Sequence, residues 1–313
     1  MLTKVIILLH TVKHYLTQGG QMENSKYKAF IASSEAGSFT KASRKLNYTP
    51  SGISQLVNAL EEELGFKLFI RNKKGVVLTS NGIKVLPIIR SILKQEEYLN
   101  QLSSEINGLS TGNLTIAAYS SVSSHWLPSV IKTFKASYPN IELHLMEGIR
   151  QEVDQWLNDN RADIGFLSYQ DIMQYEWIPV SKDPMLAILP LTHPLANADS
   201  YPIKNCQNEE FIMPGLGMDD DVIKLLKDNN LSPSIAYSTL ENFAALALIE
   251  QGLGMSIMNE LITKRWECDV IKLPLDPPQH ITLGIAVHSL KNISPAAKKF
   301  IDITVNLLKN NIT

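Results

Sequence analysis

Residues 37–65 constrain the fold more than any other part of this 313-residue chain. Gly37 is suited to end one helix in the left-handed conformation, and Ser38 is suited to cap the next helix. Thr49 is suited to cap a third helix, because Pro50 then takes the first helical position, where its missing N–H has no partner to lose. The spacing predicts two short helices that cross at a tight turn just before Thr49.

The third predicted helix has two chemically different faces. Its apolar residues fall at helical spacing and are Ile53, Val57, Leu60 and Leu64. Its uncharged hydrogen-bonding residues share another face and are Ser51, Gln55 and Asn58. A helix that reads DNA needs this division, because its polar side must reach base edges in the major groove while its apolar side packs on the domain. An ordinary surface helix with a polar face is the alternative.

A small β-hairpin is predicted directly after this helix. Residues 66–70 and 76–78 flank a turn at residues 72–75, and basic side chains stand near the tip of the hairpin. Such a hairpin can act as a wing that contacts DNA phosphates. The candidate DNA-contacting residues are Ser38, Thr40, Thr49, Ser51, Ser54, Gln55, Asn58, Arg71, Lys73 and Lys74.

The formal charge is unevenly distributed along the chain. Residues 22–82 hold nine basic and five acidic side chains, which gives a net charge of plus four. Residues 113–313 hold fifteen basic and twenty-three acidic side chains, which gives minus eight. Because phosphate contacts supply sequence-independent affinity that falls with salt, only the front part suits a polyanion, and we expect it to carry the salt dependence of binding.

A further set of residues between 29 and 79 has a characteristic spacing along the chain. The set comprises Ala29-Phe30, Gly37-Ser38-Phe39, Ala42, Leu46, Ser54, Leu60-Glu61-Glu62-Glu63-Leu64-Gly65, Leu68-Phe69, Arg71 and Leu78-Thr79. It closely resembles the winged helix-turn-helix domain of the LysR-type transcriptional regulators. The resemblance implies a regulator of transcription that binds double-stranded DNA and responds to a small-molecule effector. Pro50 departs from the family, in which many members carry a base-reading glutamine there, so base contacts are expected from Ser51, Ser54, Gln55 and Asn58.

One long helix is predicted over residues 80–109, with Thr79 or Ser80 as its cap. Apolar residues follow the three-and-four spacing of a coiled-coil seam and are Val85, Ile89, Ile92, Leu99 and Ile106, with Leu86, Leu93, Leu102 and Leu109 alongside. The helix could pack on its own domain, but the resemblance favours dimerisation, since family members dimerise through this segment. A homodimer or homotetramer with two-fold symmetry predicts a pseudo-palindromic DNA site.

Strand and helix patterns alternate beyond a hinge at residues 110–112. Strands at 114–118, 141–146 and 163–167, separated by helices, predict a parallel βαβαβ sheet. A second set of elements at 186–258 predicts a second lobe, and the strand at 280–287 and helix at 295–308 return to the first. The motifs that follow a family pattern are Leu189-Pro190, His193-Pro194-Leu195 and Gly252-Leu253-Gly254-Met255. They resemble the effector-binding domain of the same family, which is similar to type II periplasmic binding proteins.

The expected fold is therefore an α+β winged helix-turn-helix domain joined by a long linker helix to a two-lobed α/β domain. The expected limits are 22–79 for the DNA-binding domain, 80–109 for the linker and dimerisation helix, and 113–313 for the effector-binding domain. Within the last, lobe I covers about 113–185 and 280–313, and lobe II about 186–279. Residues 1–21 are expected to be an extension outside the native protein, with translation starting at Met22.

Ligands in such a fold bind in the cleft between the lobes, at the carboxyl ends of the strands. The candidate effector-binding residues are Ser120, Ser121, Val122, Ser123, Ser168, Met213, Pro214, Thr239 and Leu240. Each serine or threonine among them suits a helix cap equally well. The loops that carry them hold no arginine, which argues against a strongly anionic effector, although Arg150 or Arg161 could reach the cleft. The run Asp219-Asp220-Asp221 is interpreted as a solvated helix start.

Several classes of protein are disfavoured by what the sequence lacks. No apolar run approaches the ~20 residues of a membrane span, and Cys206 and Cys268 lie far apart, so we expect a cytoplasmic protein without a membrane segment. His10 and His14 have the spacing of metal ligands on a helix, but no third ligand accompanies them, so we expect no metal site. We also expect no cofactor. The sequence contains neither a nucleophile motif nor a phosphate-binding loop, so we do not expect an enzyme. The alternatives are an architectural DNA-binding protein without effector and an enzyme on the two-lobed fold.

Overall fold

A computed structural model of the chain describes residues 24–108, 110–264 and 267–309. It divides into two compact units, Met1–Leu99 and Asn100–Thr313. The expected extension at residues 1–21, including His10 and His14, lies outside the described residues. Within the described part, no helix is both long enough and apolar enough to cross a bilayer.

The first unit contains the predicted helix-turn-helix and hairpin. Its elements are helix α1 at residues 24–36, α2 (Phe39–Leu46), α3 (Pro50–Leu64), strand β1 (Phe69–Asn72) and strand β2 (Gly75–Leu78). The two strands pair antiparallel, with Asn72 opposite Gly75 at the turn. Both crossing helices and the hairpin are confirmed.

The caps of α2 and α3 are those that the sequence indicates. The Ser38 hydroxyl accepts a hydrogen bond from the N–H of Lys41 at 3.4 Å, and Thr49 Oγ1 accepts one from the N–H of Gly52 at 3.0 Å. The intervening turn contains Asn47 in the left-handed conformation, at φ 57°. These local bonds satisfy helix-end donors, so the two helices begin at fixed positions.

The long helix α4 (Ser80–Ile106) begins after Thr79, whose Oγ1 accepts a hydrogen bond from the N–H of Gly82 at 2.9 Å. The first turns of α4 depart from the predicted seam, because Ile89 is buried in the core of the first unit and Val85 packs against it. The exposed large apolar residues of α4 are Ile83, Ile88, Ile92, Leu99, Leu102 and Ile106. Leu109 lies outside the described residues.

The second unit opens with the predicted βαβαβ arrangement. Its elements are β3 (Gly112–Ala118), α5 (Ser120–His125), α6 (Leu127–Ser137), β4 (Ile141–Glu147), α7 (Arg150–Asn158) and β5 (Ile164–Ser168). Strand β3 pairs parallel with both β4 and β5, as predicted. A core rich in aromatic residues, including Phe134, Phe166 and Phe300, lies against these strands. We name the part around this core lobe I.

The rest of the second unit forms lobe II and returns to lobe I. Its elements are β6 (Glu176–Pro190), β7 (Tyr201–Pro202), β8 (Glu210–Met213), α8 (Asp220–Asp228), β9 (Ser234–Ser238), α9 (Asn242–Glu250), β10 (Ser256–Asn259), α10 (Glu260–Thr263), β11 (Val270–Val287) and α11 (Pro295–Lys309). Strands β8 and β9 pair parallel. The separate core of lobe II contains Tyr201, Phe211 and Ile257.

The two longest strands connect the lobes. Strands β6 and β11 pair antiparallel along most of their lengths, with a register shift between Pro274 and Gln279. In the large sheet the strand order is β10-β6-β11-β5-β3-β4. The sequence predicts only the segments 186–189 and 280–287 of these strands, and it does not predict the antiparallel half of the sheet.

Candidate nucleic-acid interface and ligand cavity

The two faces of α3 are separated as the sequence predicts. Ile53 and Val57 are fully buried in the core of the first unit. On the opposite side Ser51 and Gln55 are exposed, while Ser54 is half-buried. Because the buried side fixes the rotation of the helix, the polar side forms a defined surface.

Arg71 lies across this polar surface. Its Nη1 donates to Ser54 Oγ at 3.1 Å, and its Nη2 donates to Asn58 Oδ1. The guanidinium carbon also lies 4.9 Å from the centre of the Phe39 ring, a distance at which cation–π attraction operates. Arg71 therefore connects strand β1 to α3 and holds two of the predicted base-contacting side chains. This bridge was not visible in the sequence, which indicates only a cation near the hairpin.

The hairpin turn is fixed to the rest of the unit through its backbone. The N–H of Val76 donates to the carbonyl of Gly37 at 2.9 Å. Gly75 has a φ of 139°, and a Cβ on it would lie 2.2 Å from the same carbonyl oxygen, so only glycine fits there. Lys73 and Lys74 are exposed in this turn. Two cations are thus held at a defined distance from α3.

Glu61 is a structural residue that sequence reasoning missed. Its side chain is 1% exposed and accepts hydrogen bonds from the N–H groups of Leu68 at 2.8 Å and Phe69 at 3.2 Å, and from Lys67 Nζ at 2.7 Å. Burial by itself raises the pKa of this carboxyl, but these hydrogen bonds outweigh it and hold the pKa below its ordinary value. Glu61 therefore joins the end of α3 to the start of the hairpin. Its position within an acidic run gave no sign of this.

A cavity of about 310 Å³ lies between the two lobes of the second unit. Its walls include three of the predicted residues, Ser120, Ser121 and Leu240. Their backbone follows strands β3 and β9, so the cavity lies at the carboxyl ends of strands in both lobes. This is the location where ligands of such folds bind.

The remaining predicted effector residues lie elsewhere. Val122 and Met213 are buried in the cores of lobes I and II, respectively. The hydroxyls of Ser123 and Thr239 are buried and have no hydrogen-bond partner among the described residues. Pro214 precedes the short 3₁₀ turn of residues 215–217 and does not line the cavity.

Ser168 belongs to a polar cluster at the edge of the cavity. Arg150 Nη1 donates to Ser168 Oγ and to the Ser168 carbonyl, each at 2.9 Å, and to the Tyr119 hydroxyl at 3.2 Å. The Ser168 hydroxyl donates in turn to Asp221 Oδ1 at 2.7 Å. The cluster therefore joins lobe I to lobe II through hydrogen bonds. Arg161, the other arginine considered for the cleft, lies over the Trp156 ring at 5.9 Å instead.

Residues 219–221 start helix α8, as the sequence indicates, but the expectation that they are solvated is wrong for Asp221. Asp219 caps α8 by accepting from the N–H groups of Asp221 and Val222 at 3.1 Å each. Burial, reinforced by the neighbouring Asp219 carboxylate, raises the pKa of Asp221 to about 6, and the Ser168 hydrogen bond and Arg150 oppose this shift only in part. The lobes cover this helix start, which a local sequence pattern cannot reveal.

The described residues hold no group of three or more His, Cys, Asp or Glu side chains arranged to bind a metal ion. The three adjacent aspartates of α8 are oriented as caps and hydrogen-bond acceptors instead.

Two family models match the chain. One is described as a bacterial regulatory helix-turn-helix protein of the lysR family and matches residues 25–83. The other is described as the LysR substrate binding domain and matches residues 107–309. Each unit is thus matched by one of the two models.

Three known proteins illustrate the similarity along the whole chain. The HTH-type transcriptional regulator YvbU of Bacillus subtilis (strain 168), itself uncharacterized, is 33% identical over 289 residues, which are 91% of this chain and 99% of YvbU. The crystal structure of HinK, a LysR family transcriptional regulator from Pseudomonas aeruginosa, aligns with a TM-score of 0.57 at 25% identity, covering 91% of this chain and 98% of HinK. Full-length CbnR in complex with its target DNA aligns with a TM-score of 0.62 at 21% identity, covering 90% and 99%.

Proposed function

Because this chain belongs to the LysR family of transcriptional regulators, we propose specific roles for two of its surfaces. The polar face of α3 reads duplex DNA, and the cavity between the lobes binds the modulating effector. The observation that carries the proposal is the polar side of α3 with two exposed lysines fixed beside it. A small-molecule effector acts if it binds two arrangements of the protein with different affinity, which shifts the population between them.

Among the candidate DNA contacts, the exposed positions are assigned to base edges. Ser51 and Gln55 lie in the N-terminal half of α3, the part that enters the major groove in helix-turn-helix proteins. Ser54 and Asn58 already accept hydrogen bonds from Arg71, so this trio is assigned to a preorganised polar unit beside them.

The remaining candidates are assigned to phosphates. Ser38, Thr40 and Thr49 lie at the N-terminal ends of α2 and α3, where backbone N–H groups and the helix dipole favour anions. Lys73 and Lys74 on the hairpin turn add positive charge. Phosphate contacts set the position of the protein on the duplex, and they carry no sequence information directly.

Helix α4 is assigned to dimerisation. The exposed apolar residues Ile88, Ile92, Leu99, Leu102 and Ile106 follow one another at steps of three, four or seven, which places them on one stripe of the helix. A stripe of this kind is covered by the same stripe of a second copy in a two-fold dimer, so a homodimer, or a homotetramer built from two dimers, is the proposed assembly. A pseudo-palindromic DNA site is expected for it.

We also propose that the chain is not an enzyme and acts in the cytoplasm, where its DNA target lies. Its relatives are transcriptional regulators, and the polar cluster at the cavity has structural partners for its arginine and for Asp221. Recovery of a bound effector unchanged after prolonged incubation supports this assignment. Turnover of that effector would contradict it.

Gln55→Ala tests base readout by α3. Binding is measured by fluorescence anisotropy on a genomic fragment selected by the protein and on a scrambled duplex of the same length. One lost side-chain contact to a base should weaken specific binding by about 1–3 kcal/mol and leave scrambled DNA unaffected. Gln155→Ala, at an exposed position of α7, is the matched control and should bind both duplexes as the unaltered protein does. Equal losses on both duplexes for Gln55→Ala would overturn the assignment.

A further inference from the structure

The charge of the cavity between the lobes restricts the class of molecule that it can hold. We propose that the effector is a small amine cation, with ammonium groups that bind carboxylates of both lobes. This inference rests on the proposed function, because it takes the cavity to be the effector site.

Acidic side chains dominate the charged part of the cavity wall. Six carboxylates line it, and they are Glu147, Glu152, Asp219, Asp220, Asp221 and Glu241. The only cationic side chain in the described lining is that of Arg150. Glu147 and Glu152 belong to lobe I, and the other four carboxylates belong to lobe II. A ligand in the cavity therefore meets negative charge from both sides.

Two of the three guanidinium nitrogens of Arg150 already have partners in the protein. Its Nη1 donates to Tyr119 and Ser168, and its Nε lies 3.5 Å from Asp154 Oδ2. The Coulombic influence of Asp221 adds to that of Asp154 in stabilising the cation. An anionic ligand would therefore share the charge of Arg150 with Asp154 and Asp221 of the protein.

Two of the three helix ends at the cavity are capped by carboxylates of the protein. Glu152 accepts from the N–H of Ile149 at 3.1 Å at the start of α7. Asp219 caps α8 in the same way, whereas Glu241 stands at the N-cap position of α9 and makes no capping hydrogen bond. Each helix end contributes roughly half a positive charge, so three ends and Arg150 together supply about two and a half charges. Six carboxylates exceed this, and five still exceed it when Asp221 is protonated.

Two carboxylates remain available to a ligand. The structure shows no hydrogen bond or ion pair between the side chain of Glu147 or Glu241 and any described residue, and both residues are exposed. Beside Glu241, the Oδ1 atom of Asn242 is buried and accepts no hydrogen bond from a described residue. Three acceptors thus lack donors at one cavity, and an ammonium group supplies three donors. A cavity of about 310 Å³ is near the lower end of the range for small-molecule sites, so the ligand is small.

The test compares ligands that differ in charge but share a carbon chain. Putrescine, 1,4-butanediol and succinate provide a dication, a neutral molecule and a dianion of four carbons, and ethylenediamine and cadaverine vary the diamine length. Binding to the full chain is measured by isothermal titration calorimetry and by the shift in melting temperature. At least one diamine should bind and stabilise the protein at low salt, and neither the diol nor succinate should do so.

Two substitutions locate the site. Glu147→Gln and Glu241→Gln should each weaken diamine binding by about tenfold, which is the effect of losing one close charge-assisted contact. Neither should change the melting temperature of the unliganded protein, because neither side chain has a described partner. Glu142→Gln, on an exposed position of the same strand as Glu147 but outside the cavity lining, is the matched control and should bind diamines normally.

Three results would overturn the inference. They are tighter binding of succinate than of any diamine, absence of diamine binding, and diamine binding that survives both glutamate substitutions. Failure of the proposed function has a different signature. In that case Ser120→Phe, which fills the cavity, would leave the response of DNA binding to cell metabolites unchanged, whatever the charge of the ligand.

Discussion

Replacing Asp221 by asparagine should stabilise the second unit at neutral pH. The folded protein holds the pKa of this carboxyl at about 6, against an ordinary value of 3.8, chiefly because burial disfavours its charged form. The folded-state pKa is the higher one, so the folded state binds the proton more tightly than the unfolded state does. Stability is therefore lost as pH rises from about 4 through about 6, and the loss is complete at neutral pH.

The size of this effect follows from the shift. A difference of about two pKa units corresponds to about 3 kcal/mol of destabilisation at pH 7.5. Asparagine keeps an Oδ1 acceptor for Ser168 and Gln170, so their hydrogen bonds to this position can persist. It removes a negative charge near Arg150, which offsets part of the gain. The expected net stabilisation is about 1–2 kcal/mol, or roughly 2–8 °C in melting temperature for a unit of this size.

Thermal and urea unfolding of the full chain at pH 7.5 and at pH 4.5 provide the assay. The gain from Asp221→Asn should be present at pH 7.5 and should largely disappear at pH 4.5, where the unaltered carboxyl is protonated. Asp302→Asn removes the same charge from an exposed position of α11 and should have little effect at either pH. A destabilised Asp221→Asn protein at pH 7.5, or a gain equal at both values, would refute the argument from burial.

Three further predictions concern the first unit and α4. Glu61→Gln should lower the free energy of unfolding of the first unit by about 1.5–3 kcal/mol at neutral pH, because it loses charge-assisted hydrogen bonds. The pKa of Glu61 is lowered in the folded state, so urea unfolding should show a smaller difference as pH falls below the ordinary glutamate range. Lys74→Ala should weaken binding to specific and scrambled DNA alike, and in anisotropy titrations it should reduce the slope of log affinity against log salt concentration by about one. Lys298→Ala on α11 is the control and should leave both affinity and slope unchanged. Leu99→Asp puts a charge on the apolar stripe of α4 and should shift the sedimentation of the protein toward that of a monomer. Leu290→Asp, at another exposed leucine, is the control and should not do so. An unchanged oligomer for Leu99→Asp would argue against α4 as the interface.

The sequence indicates features whose causes are local. Helix caps at Ser38 and Thr49 depend on residues within three positions, so they can be predicted from the chain alone. Apolar spacing likewise shows that Ile53 and Val57 face a core. The strands of lobe I follow from the same kind of pattern.

Features that depend on distant segments could not be predicted in this way. Arg71 meets Ser54 and Asn58 only after the hairpin folds back on α3. Asp221 is shielded from water where Ser168 and Gln170 of lobe I bind it, and an isolated acidic run gives no sign of such contacts. Ser120, Ser121 and Leu240 follow strand ends and line the cavity. Val122 and Met213 are also near strand ends, but their side chains point into the cores, and a strand pattern alone does not give that direction.

The paired strands β6 and β11 carry the chain from one lobe to the other. Their hydrogen-bonded ladder is interrupted between Pro274 and Gln279, where Leu275 and Asp276 pair with β7 instead. A second register shift lies between Leu283 and Gly284, and each lobe has its own core. Leu275 is buried in the core of lobe II, whereas the residues that follow it are exposed. Lengthening or shortening the exposed segment at residues 276–278 should therefore change the gap between the lobes while both cores stay intact. Evolution could fit a larger or smaller signal molecule in related chains by altering a few residues there.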